Sequence, residues 1–212
     1  MKIDRSGYPF IAAALVPAAG LTALRRYGWA SAFAALGGFF AYFFRDPERQ
    51  VPEGSDLVVS PADGRLMYVG PAEGSSAPPG SWLQVVVFLS PLDVHINRSP
   101  VSGYVTRIEY RPGRFLPAYD RRADENELNE IWVDAQGTLI VFRQVVGVLA
   151  RRIVCRVDVG EALERGQRIG LMKFGSRMDV FLPPTAQLCV EEGQQVVAGE
   201  TVIAKLRSDD AA

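Results

Sequence analysis

The residues of this chain with the greatest chemical reach are few and far apart. Gly175-Ser176 lies at the head of the last 37 residues. A glycine before a serine in a tight, strained turn can present the preceding carbonyl to the serine hydroxyl, and the peptide bond then splits to leave Ser176 as a chemically blocked N-terminus. Gly-Ser pairs are ordinary in turns, so this pair takes its meaning from its surroundings. His95 is the only histidine, which leaves one imidazole for acid/base work and argues against a histidine-based metal site. Cys155 and Cys189 are distant and not in C-x-x-C spacing. They suggest neither zinc nor a disulfide framework and read as core thiols of a reducing compartment.

The elements that must position these groups divide the chain in two. Residues 7–24 and 27–44 are uncharged, apolar runs separated by Arg25 and Arg26, each at the short end of what spans a bilayer. Residues 1–50 carry six Lys or Arg against three acids, a basic fringe that points to a membrane surface. The expectation is a helical hairpin over 1–46 that spans or dips into a membrane, with a second domain over 47–212 on the cytoplasmic side because Lys2, Arg5 and Arg45 outnumber the two turn arginines. The net charge of −1 gives no reason to expect nucleic acid.

After Arg45-Asp46-Pro47 the pattern changes to short alternating runs punctuated by Gly and Pro, which predicts strands at 57–60, 65–69, 82–89, 104–110, 131–134, 138–145, 147–157, 168–172, 178–181, 187–191 and 201–206. The segment Val159 to Gly170 recurs 33 residues later as Glu192 to Ile203, and Pro61-Ala62-Asp63-Gly64 is echoed by Pro100-Val101-Ser102-Gly103. Two such units related by pseudo-symmetry make a flattened β sandwich similar to the biotinyl and lipoyl carrier domains. The fold class is therefore mainly β, a barrel-sandwich domain with an N-terminal hydrophobic hairpin. Between the two repeats lies Leu171-Met172-Lys173-Phe174, where carrier domains hold their modified lysine, so Lys173 as a biotin or lipoyl arm is one alternative. A membrane-tethered β scaffold without chemistry is another.

Four segments carry a more specific resemblance: Phe44-Arg45-Asp46-Pro47, Ser60-Pro61-Ala62-Asp63-Gly64, Asp93-Val94-His95-Ile96-Asn97-Arg98-Ser99-Pro100 and Lys173-Phe174-Gly175-Ser176-Arg177. In order and spacing they resemble phosphatidylserine decarboxylase in its short, single-domain bacterial and archaeal form. The resemblance implies that the proenzyme cuts itself between Gly175 and Ser176, giving chains 1–175 and 176–212 that stay together as a heterodimer, with a higher oligomer left open. It further implies a pyruvoyl group made from Ser176 as the only cofactor, without metal, and a Schiff base to the serine headgroup of phosphatidylserine in the membrane. That ketone is the electron sink that loss of carbon dioxide demands.

The same resemblance makes Asp63 and His95 the candidates for activating Ser176. In longer relatives a second histidine follows the first by three residues; here that position is Arg98. The expectation is that Asp63, directly or through water, supports cleavage and that His95, with Asp93 facing the same way in an extended segment, reprotonates the carbanion, so that His95→Ala leaves a cleaved but weakly active protein. The long polar loop from Pro112 to Asn129 reads as a lid. Arg114 and Phe115 in it, with Arg98, are the expected lipid-binding residues, the arginines meeting the phosphate.

Overall fold

The computed structural model describes residues 2–72, 77–148, 152–173 and 175–207. The chain forms two compact units, Met1–Glu48 and Arg49–Ala212.

In the first unit a short strand β1 (Lys2–Ile3) leads through a 3-10 turn into helix α1 (Tyr8–Ala23), and helix α2 (Tyr27–Phe43) returns antiparallel to strand β2 (Arg45–Asp46), which pairs with β1. Arg25 turns the corner in the left-handed region at φ 55°. The helices pack through small residues, with Ala14, Ala18 and Ala30 buried, and through Phe10, whose ring lies 5.5 Å from Phe40 and 5.3 Å from Phe44. Most other apolar side chains face outward, among them Val16, Leu24, Tyr27 and Trp29. Arg5–Ala23 is a 19-residue stretch apolar enough to cross a membrane; the 17 residues of α2 are shorter.

The second unit is built from antiparallel strands. These are β3 (Leu57–Val59), β4 (Gly64–Pro71), β5 (Leu83–Leu89), β6 (Ile96–Arg98), β7 (Gly103–Arg111), β8 (Leu128–Ala135), β9 (Thr138–Val146), β10 (Ile153–Cys155), β11 (Ala162–Leu163), β12 (Arg168–Met172), β13 (Ser176–Leu182), β14 (Gln187–Leu188), β15 (Gln195–Val196) and β16 (Val202–Lys205). One eight-stranded sheet runs β11-β7-β8-β9-β13-β5-β4-β15, and two three-stranded sheets run β10-β12-β6 and β14-β16-β3. Val85, Val87, Phe142, Met178 and Val180 from the large sheet share a core with Val58, Ile169 and Ile203 from the small ones, so the inner faces close on one another as a sandwich.

Both sequence repeats correspond to repeated structure. Ser60 Oγ donates to Ala62 O at 2.7 Å, as Ser99 Oγ does to Val101 O at 2.7 Å. Gly199 N donates to Ser60 O as Gly166 N does to Ser99 O, and Gly193 N to Leu66 O as Gly160 N to Val105 O. The large sheet is symmetric about the β9-β13 pair. One repeat, β6 to β12, is continuous in sequence and sits between the two pieces of the other, β3 to β5 and β13 to β16.

Several strand boundaries differ from expectation. Of the predicted strand 147–157 only Ile153–Cys155 is a strand, and 149–151 lie outside the described residues. β6 is an unpredicted strand because its residues Ile96-Asn97-Arg98 do not alternate apolar and polar, although all three are buried. The core-thiol reading holds poorly: Cys155 is half-buried and Cys189 is exposed just past the two-residue β14, where too little strand remains to tuck the side chain inward.

Candidate active site

Ser176 opens β13, the strand at the middle of the large sheet, opposite Val146 on one side and Leu89 on the other. Strand alternation puts its side chain on the same face as the core residue Met178, and it is wholly buried. Among the described residues its Oγ has no hydrogen-bond partner. An orphaned buried hydroxyl costs on the order of 1–3 kcal/mol, so this is an uncomfortable place for a merely structural serine.

The residue before it supplies the turn. Gly175 has φ 72°, and a side chain there would meet nothing within 4 Å, so it is the left-handed backbone and not space that favours glycine. Phe174 of the sequence motif lies outside the described residues. From the neighbouring strand end, Gly147 presses on this turn: a Cβ added at Gly147 would fall 2.3 Å from Gly175 O and 3.2 Å from Gly175 C. Sequence reasoning missed Gly147, although a glycine closing a long apolar strand is the kind of signal that marks close backbone approach.

His95 is buried beside the same turn. The Gly175 N–H donates to His95 Nε2 at 3.4 Å, and Nδ1 lies 3.0 Å from Asp93 O. The two contacts together assign the tautomer: Nδ1 carries the proton and donates to the carbonyl, leaving the Nε2 lone pair toward the turn. The segment before His95 is a turn, with Asp93 N donating to Ser90 O and the Asp93 carboxylate accepting from Ser90 N at 2.7 Å. Asp93 thus uses its carbonyl to hold the imidazole, and its carboxylate is spent on the turn, unlike the extended arrangement expected.

Asp63 sits in the neighbouring segment, which is stitched to β6 by Arg98 N donating to Pro61 O and Val59 N to Pro100 O. Its carboxylate accepts from Arg49 Nη2 at 2.9 and 2.7 Å and from Ala198 N at 2.8 Å. Burial pushes its pKa above the usual carboxylate value, against the pull of the Ala198 amide and Arg49, and the nearby Asp93 charge adds to the rise. The structure thus brings His95, Gly175 and Ser176 together and gives Asp63 a cation and an amide as its partners. Arg49 was invisible to sequence reasoning because it sits at the opening of the domain, 14 residues before Asp63.

The expected lipid-binding residues fall in different settings. Arg98 is buried and donates to Gly166 O at 2.8 Å. Arg114 projects from the 112–127 loop with its guanidinium 3.2 Å from Glu125, and Phe115 is exposed beside it. The loop is well braced: Asn126, buried, pairs with both backbone groups of Leu116 and donates to Val146 O at 2.8 Å. It contains a 3-10 turn at Arg121–Glu125, and strand pairing begins at Leu128, one residue before the expected end of the loop.

Comparison with known proteins agrees with this geometry. The family model described as phosphatidylserine decarboxylase matches residues 36–204. The chain is 48% identical over 206 residues to the phosphatidylserine decarboxylase proenzyme of Symbiobacterium thermophilum, covering 96% of this chain and 95% of that protein. It is 44% identical over 203 residues to that of Geotalea uraniireducens, covering 95% of each, and 38% identical over 211 residues to that of Magnetococcus marinus, covering 98% and 97%. With a buried serine hydroxyl, a left-handed glycine and an imidazole gathered at one turn, and with this match along nearly its whole length, the chain belongs to the phosphatidylserine decarboxylase family.

Proposed function

We propose that the protein is a proenzyme that cuts itself between Gly175 and Ser176 and then decarboxylates phosphatidylserine to phosphatidylethanolamine. The observation that carries this reading is the buried Ser176 hydroxyl, without a partner among the described residues, directly after the left-handed Gly175 and beside His95. The carrier alternative at Lys173 is not favoured, since the family match accounts for the same hairpin.

In the cut, Ser176 Oγ attacks the Gly175 carbonyl carbon while His95 Nε2 takes the hydroxyl proton. The C–N bond breaks as the ester forms, and the proton returns to the freed nitrogen. Loss of the α-proton of residue 176 expels the Gly175 carboxylate, leaving a dehydroalanine that takes up water and releases ammonia to become a pyruvoyl group. A positioned base contributes roughly 10²- to 10⁴-fold to such a step. His95 holds that place by its contact with the Gly175 amide, and Asp63, tied to Arg49 in the adjacent segment, supplies negative charge that steadies the imidazolium. This assigns to His95 the part that the sequence alone suggested for Asp63.

The pyruvoyl group fits the site, because its formation removes the orphaned hydroxyl; once present it supplies a ketone that draws off the electrons left by departing carbon dioxide. His95 is the only imidazole of the chain and is placed to return the proton. Arg114 and Phe115, exposed on the loop, are the proposed contacts for phosphate and acyl chain, whereas Arg98 is buried and held by Gly166 O. The apolar first unit would keep the site at the membrane, on its cytoplasmic side, and the two fragments would remain paired.

Intact mass under denaturing conditions tests this. The expected result is two fragments split at 175/176, the smaller without a sequenceable amino terminus, and a single uncut chain for Ser176→Ala and for His95→Ala. A fully cut His95→Ala protein would remove His95 from the cleavage step.

A further inference from the structure

The second residue after the proposed cut is an arginine buried in the sheet. Arg177 faces away from the core, on the side of β13 opposite Ser176, yet its side chain is only 7% exposed. Its guanidinium contacts Asp179, 1% exposed, on its own strand at 2.8 and 2.9 Å, and Asp124 from the 3-10 turn of the 112–127 loop. Burial pushes the Asp179 carboxyl up against the pull of Arg177. Burial also works to lower Arg177, but the two carboxylates outweigh it and hold the guanidinium above its usual value. A buried ion cluster of this kind commonly contributes less stability than apolar side chains of the same size would, so its presence at this position calls for a role other than stability.

The loop it grips reaches the reacting turn from the other side. Glu127 O accepts from Val146 N and Asn126 donates to Val146 O, and Val146 is the residue opposite Ser176. Ala118 lies 3.3 Å from where a Cβ on Gly147 would be, and that same Cβ would strike Gly175 O. After the cut proposed above, on which this inference rests, residue 176 loses both its covalent link to Gly175 and its amide N–H. The first side chain left to anchor the new terminus is Arg177.

We propose that Arg177 is a positioning residue of the mature enzyme: through Asp124 it latches the 112–127 loop to the strand that carries the reactive terminus, so that residue 176 and the loop keep one geometry after the backbone between 175 and 176 is gone. The test uses Asp124, whose side chain is 36% exposed and whose loss leaves the Arg177–Asp179 pair in place. Asp124→Ala should still be cut completely, should lose about tenfold in kcat on phosphatidylserine in mixed micelles with KM within about twofold, and should become sensitive to trypsin at Arg121 and Arg122. Asp124→Glu should restore both turnover and resistance. Wild-type kcat and trypsin resistance in Asp124→Ala would overturn the latch, as would failure of Asp124→Glu to rescue. The trypsin comparison repeated in uncut Ser176→Ala protein reads the latch even if the proposed cleavage is wrong, and unchanged resistance there on adding Asp124→Ala would equally overturn it.

Discussion

Replacing Gly147 by alanine probes the electrophile of the proposed cut without touching any group that takes or gives a proton. The new Cβ would lie 2.3 Å from the Gly175 carbonyl oxygen, whereas real Cβ contacts do not fall below 3.0 Å, so the carbonyl must retreat by about 0.7 Å. Overpacking of this size costs about 1–3 kcal/mol of stability, which a folded domain with a large core survives. Reacting atoms held at attack distance lose on the order of 10²-fold for a misplacement near 1 Å, so the rate constant for appearance of the two fragments should drop by about that factor. A time course of freshly synthesised protein, resolved under denaturing conditions, gives the rate, and circular dichroism confirms the fold. Gly175→Ala is the informative contrast: its Cβ points into open space, so it bears only the left-handed backbone penalty of about 1–2 kcal/mol and should fold while cutting faster than Gly147→Ala. A folded Gly147→Ala protein that cuts at the wild-type rate would refute the placement of the Gly175 carbonyl as the atom attacked.

Two further perturbations follow from the charges. Arg49→Met removes a cation that lowers the Asp63 pKa, so the acid limb of the cleavage rate should move to higher pH. Because Asp63 is raised in the fold, its ionisation is disfavoured there; the variant should be least stable, by about 3–5 kcal/mol, at neutral pH and should recover as pH falls through the raised value, measured as urea midpoints across pH. Arg114→Gln should raise KM for phosphatidylserine several-fold with kcat unchanged and weaken the salt dependence of binding, as expected for an exposed arginine meeting a phosphate; assays across potassium chloride concentrations would detect it.

The hairpin was legible because two uninterrupted apolar runs leave little else possible, and α1 and α2 fall within a residue of the runs that predict them. The sandwich was legible through its repeats, since each Gly-bounded turn recurs with the same hydrogen bonds. Ser176, Gly175 and His95 stood out by type and rarity. What could not be read were contacts made by turns and loops: that Gly147 abuts Gly175, that Arg49 closes on Asp63, and that Asp124 meets Arg177. Each depends on how the folded chain brings connecting segments together, which the local alternation of no single segment encodes. β6 escaped for a related reason, being buried on both faces and thus without a polar side to alternate.

The proposed cut falls at the seam where the continuous inner repeat hands back to the second piece of the outer one, between β12 and β13. The 176–212 piece is therefore no module of its own: its first strand is the centre of the large sheet, paired along its length with β5 and β9, and its last described strand pairs with β3. Maturation at this seam would convert a unimolecular folding equilibrium into a bimolecular one, in which the unfolded state gains the translational freedom of a second chain. The proenzyme should melt at a temperature independent of protein concentration, whereas the cut protein should melt lower on dilution and, once unfolded, should refold poorly. Self-processing would thus trade a protein that can be remade from its unfolded chain for one whose active life ends when it first comes apart.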